Sequence, residues 1–257
     1  MPNPLAHPAA AVPFTKAGMV FSALVIGSIA PDFWYIFHVG PSYFANTLTG
    51  LFLFDVPVGF FLLWLFHTLA KWPLLSILPQ GWQRRLFSHA QRFTWWPIKR
   101  FVFILLSLAI GSGTHILWDS FTHDYGWMVE QLAFLSTPFA GIPLYNILQN
   151  LGTLVGIGLL VYWFIRWFPN APQGDQLPAH FSIKVKAIFV ALTTVSLVLF
   201  EGALLYARFF ARLNHLLKHF MLVDSLSFSA IFIISFFVSI YCLTWMLAFH
   251  KTTRRLN

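Results

Sequence analysis

Apolar stretches of about 20 residues, the length that crosses a hydrocarbon core of about 30 Å, recur along the chain at 17–37, 51–70, 101–118, 150–168, 185–207 and 220–249. Polar and charged side chains collect between them. The pattern predicts an all-α fold, a polytopic membrane helix bundle of about six transmembrane helices. It reads as a single integral membrane domain over 1–257, with a motif-bearing half at 1–160 and a helical C-terminal half at 161–257. The first stretch is expected to stay as a helix and not to be cleaved as a signal peptide. Only Lys16 precedes it as a charge, the apolar run is long, and Pro31 would follow a cut after Ala30. Residues 169–182 contain three Pro and one Gly and read as a connecting loop.

The distribution of Lys and Arg sets the expected orientation. The segment after the second stretch carries Lys71, Arg84, Arg85, Arg92, Lys99 and Arg100 without an acid, and the segment after the third carries Asp119, Asp124 and Glu130 without a base. The first is therefore expected in the cytoplasm and the second outside, with both termini inside. Arg208, Arg212 and Lys218 run against this scheme. Trp82, Phe87, Phe93, Trp95 and Trp96 interleave with the basic residues of the first segment. They read as interfacial anchors beside anionic lipid headgroups.

Composition supports a lipid environment. Of 257 residues, 58% are hydrophobic and only 9% are charged, which excludes an ordinary soluble domain. The 30 Phe and 11 Trp exclude intrinsic disorder. A net charge of +8 could mark a nucleic-acid binder, but its concentration in one short inter-span segment favours topology determination, and no nucleic-acid partner is expected. With Cys242 as the lone cysteine, a metal site has to be built from His and carboxylates.

Ionisable residues in so apolar a chain need a reason, because burying one without a partner costs several kcal/mol. The richest group is His115-x-x-x-Asp119-x-x-x-His123, followed by Asp124, at the outer end of the third stretch. Four residues turn a helix through about 400°, so His115 and Asp119 share a face and can close on one ion. His123 lies about 12 Å from His115 along a straight helix, so it serves a second metal or the helix bends near 120–122. Asp32 follows Pro31 near the outer end of the first stretch, at a depth matching the HxxxD pair. His7 joins this group only if residues 8–16, which reach at most about 30 Å when extended, form a re-entrant arm; otherwise it is an interfacial polar residue. Asp55 lies beside Pro57 in the second stretch, and Glu201, deep in the fifth, reads as a group that stays protonated and bonds across helices. Gly152 and Gly156 form a GxxxG that reads as close helix packing within the chain.

Four phrases carry a family resemblance: His7-Pro-Ala-Ala-Ala-Val-Pro-Phe, Ser22 to Asp32 with its Gly27-Ser-Ile-Ala-Pro-Asp, Thr114-His115-Ile-Leu-Trp-Asp119-Ser-Phe-Thr-His123, and Pro143-Leu-Tyr-Asn-Ile-Leu-Gln149. In combination they resemble a bacterial multi-pass membrane family of unknown function with SHPAAVLPL, GSxxPD and HxxWDxxTH motifs. That family in turn is similar to membrane-bound metal-dependent hydrolases, and more faintly to zinc-dependent phospholipase C. Here Ala6 stands where the family usually has Ser, so a hydroxyl beside His7 is absent. The resemblance implies a metal site at His7, Asp32, His115, Asp119 and His123, and a place in the bacterial inner membrane.

The expected function is a metal-dependent hydrolase acting at the outer face on a phosphoester or lipid-linked substrate. A divalent metal, Zn²⁺ or a pair of ions, would lower the pKa of bound water and polarise the scissile bond. Asp124 or a spare carboxylate oxygen would take the proton. The alternative is a non-enzymatic membrane protein, a metal-ion carrier or a scaffold, whose His/Asp cluster locks the first and third helices together.

Overall fold

The computed structural model describes residues 4–34 and 43–174, together with seven helical positions between 184 and 198. The sixth predicted span, the end of the first, and Arg208, Arg212 and Lys218 lie outside the described residues, as does most of the fifth span. Three helices are long and apolar enough to cross a membrane: Leu48–Ile77, Ile98–Gln131 and Leu144–Asn170. The chain has the character of an integral membrane protein. The first predicted span appears as a shorter apolar helix, Phe21–Phe33.

The described chain is mostly helical. The elements that matter here are α1 (Pro8–Ala11), α2 (Phe21–Ile29), α3 (Leu48–Ile77), α4 (Gln80–Gln91), α5 (Ile98–Thr122), α6 (Trp127–Gln131) and α7 (Leu144–Trp167). Within α3, Leu51–Asp55 and Phe66–Ala70 are wound as π-helix. The backbone forms two compact units, one of 1–65 and 92–171, the other of 66–91 and 172–257.

In the first unit, α2 and α5 lie side by side and parallel. Small residues bring their backbones together: a Cβ on Gly27 would stand 2.3 Å from the Leu108 carbonyl oxygen, and one on Gly111 would stand 2.4 Å from that of Leu24. Both distances are far inside van der Waals contact, so only glycine fits. Ser112 Oγ donates to the Gly27 carbonyl at 3.0 Å, and Val20 N–H donates to Ser107 Oγ at 2.8 Å. Two serines thus join the helices where lipid offers no competing partner. Val20, Ala23, Leu63, Ile104 and Leu108 form the apolar core beside this contact. As Pro31 implies, α2 stops at Ile29 and continues as a 3₁₀ turn, Ala30–Phe33, which carries Asp32.

The second unit changes the picture of the basic segment, which the apolar pattern leaves as an inter-span connection. Helix α3 continues through Lys71 to Ile77, and α4 follows after a two-residue break as an amphipathic helix with Gln83 and Phe87 buried. Gln83 Nε2 donates to the carbonyls of Ser76 and Leu78, at 3.0 and 2.7 Å, satisfying groups that the end of α3 leaves open. Lys71 Nζ donates to the Ala90 carbonyl at 3.0 Å and lies 4.4 Å from the Trp72 ring. The segment is therefore a helical hairpin that carries Arg84 and Arg85 on α4, while Lys99 and Arg100 belong to the first turn of α5.

Candidate metal centre

Three elements meet where α2 and α5 end. The first is α5, which places His115 and Asp119 one turn apart, with His115 Nε2 3.1 Å from Asp119 Oδ2. Both are buried. The opposite nitrogen of His115, Nδ1, lies 2.8 Å from the Ser28 carbonyl oxygen. A carbonyl can only accept, so Nδ1 carries the proton, and the lone pair of a neutral ring sits on Nε2, facing the carboxylates. The second element is the 3₁₀ turn after α2, which brings Asp32 Oδ1 to 4.0 Å from His115 Nε2.

The third element is the N-terminal arm, residues 4–17. It is re-entrant, but it is coiled where the sequence argument allowed an extended strand: a 3₁₀ turn at Pro4–Ala6, then α1, then a second 3₁₀ stretch at Val12–Ala17. Gly18 ends it in the left-handed conformation, φ 82°, and the chain reverses there into α2. The arm spans from Asp119 at one end of α5 to the neighbourhood of Phe103 near the other, about 24 Å along the helix axis. Helix α7 backs it. A Cβ on Gly156 would lie 2.9 Å from the Ala6 carbonyl oxygen, and one on Gly152 would lie 2.6 Å from the Trp118 ring. The GxxxG is thus a packing surface inside the chain, and it seats the residue next to His7.

His7 is 2% exposed. Its Nε2 is 3.1 Å from Asp119 Oδ1, and its ring stacks on that of His115 with centroids 4.0 Å apart and planes 19° apart. Ligand atoms from His7, Asp32 and His115 all lie within 4.8 Å of one another, a spacing that fits around a single ion. Among the described residues His7 Nδ1 and Asp32 Oδ2 are buried without a hydrogen-bond partner. Buried polar atoms left without partners are costly in a network closed on itself, and they suit a site completed by a cation.

Asp119 stands beside this trio. Its Oδ1 faces His7 and, at 3.5 Å, His123 Nδ1; its Oδ2 faces His115 and accepts from Asn46 Nδ2 at 3.2 Å. His123 reaches Asp119 because α5 ends: Thr122 is its last residue and His123 is extended, φ −122° and ψ 147°. This resolves the sequence alternative without a bend, since the chain leaves the helix and the imidazole folds back over it. Asp124 is exposed and accepts from the Tyr125 N–H at 2.9 Å, and among the described residues it makes no bond to the cluster.

Asn46 and Tyr125 are the residues that sequence reasoning missed. Asn46 Nδ2 lies within reach of both Asp119 Oδ2 and the Tyr125 hydroxyl, 3.2 and 3.3 Å. The available signal was Thr47, whose hydroxyl caps α3 by accepting from Gly50 N–H at 3.0 Å and so fixes the residue before it. A cavity of about 180 Å³, lined by Tyr43, Asn46, Thr47, Asp119, Tyr125 and Glu130 among others, opens beside Asp119. Among the described residues no Lys or Arg lines it.

No curated protein and no solved structure matches the chain. One family model does, over residues 1–246, and the motif-bearing arm, α2 and α5 all fall inside it. By that match the protein belongs to the DUF4184 family, defined by a domain of unknown function.

Proposed function

We propose that this protein is a metal-dependent hydrolase of the bacterial inner membrane, acting on a phosphoester or lipid-linked substrate at the outer face. The observation that carries the reading is the convergence of His7, Asp32 and His115, with a nitrogen of His7 and an oxygen of Asp32 buried and unpartnered. A divalent ion there, with Zn²⁺ the first candidate for a His/Asp donor set, supplies an acidified water and a Lewis acid. The rest is done by the chain. Ser28 holds His115 in the tautomer that offers Nε2. Asp119 faces His7 and His115 together and sits where the polar cavity meets the cluster, so it is a carboxylate placed to receive a proton from an attacking water. This role passes from Asp124, which is exposed, to Asp119. Among the described residues no Lys or Arg lines the cavity, so there the charge of a phosphoester is offset at the metal. The basic residues toward the opposite end of α5, Lys99 and Arg100, support the outer location.

A second reading has its own observation. Asp119 is engaged by His7, His115 and Asn46 together, and such a network could simply lock the arm to α5, as in a scaffold or a carrier. Turnover separates the two. Protein purified in mild detergent and loaded with Zn²⁺ is assayed against phosphomonoester, phosphodiester and phospholipid panels. Hydrolysis abolished by a chelator and restored by Zn²⁺ is expected; loaded, folded protein inactive throughout would transfer the assignment to the scaffold or carrier.

A further inference from the structure

Helix α3 contributes a carboxylate that the site described above does not use. Leu51, Asp55, Gly59 and Leu63 form its buried stripe. Leu51 lies opposite Gly113 of α5, and the Gly59 position lies against Leu108 and Ala30. Asp55 is therefore held between these contacts, against α5 and the turn that carries Asp32. It is 0% exposed, and among the described residues neither of its oxygens has a hydrogen-bond partner. It is also close enough to His115 and Asp32 to interact with their charges. The π-helical turn Leu51–Asp55 ends on it, a local widening that is frequent at functional sites.

We propose that Asp55 anchors a second divalent-cation site, bridged to the first by Asp32. The orphaned oxygens give the reason: Asp32 Oδ2 and both oxygens of Asp55 are buried acceptors with no donor, whereas Asp32 Oδ1 faces His115. A carboxylate with one oxygen toward each of two ions is the usual bridge in two-metal hydrolytic sites, where the ions stand about 3.5–4 Å apart. Charge agrees. Among the described residues Asp32, Asp55 and Asp119 have no Lys or Arg ion-pair partner. Two divalent cations with three carboxylates and one hydroxide are neutral, a requirement that weighs heavily inside a bilayer.

The proposal rests on the metal-centre reading, and one titration separates their failures. Full-length protein in mild detergent is titrated with Mn²⁺, with bound metal counted by equilibrium dialysis and the spin state followed by electron paramagnetic resonance. Wild type is expected to bind two Mn²⁺ per chain and to show an exchange-coupled signal at saturation. Asp55→Asn is expected to bind one, uncoupled, with the second event lost. One Mn²⁺ in wild type, or two coupled Mn²⁺ in Asp55→Asn, overturns the second site and leaves the first standing; none in wild type overturns both. The wild-type count decides the matter even if the variant does not fold.

Discussion

His115 donates its Nδ1–H to the carbonyl of Ser28 across the α2–α5 contact, at 2.8 Å. That bond ties the chemistry of the imidazole to helix packing, because Ser28 follows Gly27, the residue that lets α5 approach. With Nδ1 committed, Nε2 faces Asp119 Oδ2 at 3.1 Å and Asp32 Oδ1 at 4.0 Å. A lone pair among carboxylate oxygens needs a proton or a cation between them, and the predictions below ask which.

Asp119→Asn is nearly isosteric but removes the negative charge and one of the two acceptor oxygens that face His7 and His115 at 3.1 Å. Partners that orient metal-binding histidines typically account for about 10–100-fold in metal affinity or activity. We expect folded protein in the membrane with Zn²⁺ affinity reduced within that range, measured by competition with a chromophoric chelator. Wild-type affinity would remove Asp119 from the account.

The arm is tested at its hinge. Gly18 and Gly141 share φ 82°, and neither position is crowded. A β-branched residue in that conformation carries a strain of roughly 1–2 kcal/mol at either place. Gly18→Val is expected to weaken Zn²⁺ binding by displacing His7, while Gly141→Val, in the tight turn between Pro138–Phe139 and Ile142–Pro143, is expected to bind normally. Equal binding by the two would mean that His7 does not depend on the arm.

What the sequence made legible is what helical periodicity encodes. The one-turn spacing of His115 and Asp119, the break at Pro31 and the matched depth of Asp32 follow from counting along single helices. The position of His7 depends on a chain reversal at Gly18, and the reach of His123 depends on where α5 stops. Neither leaves a periodic trace. Asn46 and Tyr125 come together only when the start of α3 meets the end of α5. The helical hairpin of Lys71–Ile77 and Gln80–Gln91 was obscured for another reason, since its charge density resembles that of a connecting segment while its buried Gln83 and Phe87 are few.

Orientation in the membrane is checked by cysteine labelling in a Cys242→Ser background. Gly81 has open space around it, and Ser136 is exposed, so a thiol at either is reachable from its own side. In intact cells an impermeant maleimide is expected to label Ser136→Cys and to spare Gly81→Cys until the cells are opened. The reverse pattern would put the cluster on the cytoplasmic face and change the substrates it can meet.

The central claim is that His7, Asp32 and His115 hold a metal ion. Its most direct test is the metal content, by elemental mass spectrometry, of wild type and His115→Ala purified side by side in mild detergent and exposed to the same Zn²⁺. The account predicts stoichiometric Zn²⁺ in wild type and its loss in His115→Ala, with both proteins monodisperse. Equal metal in the two, or none in wild type, would contradict it.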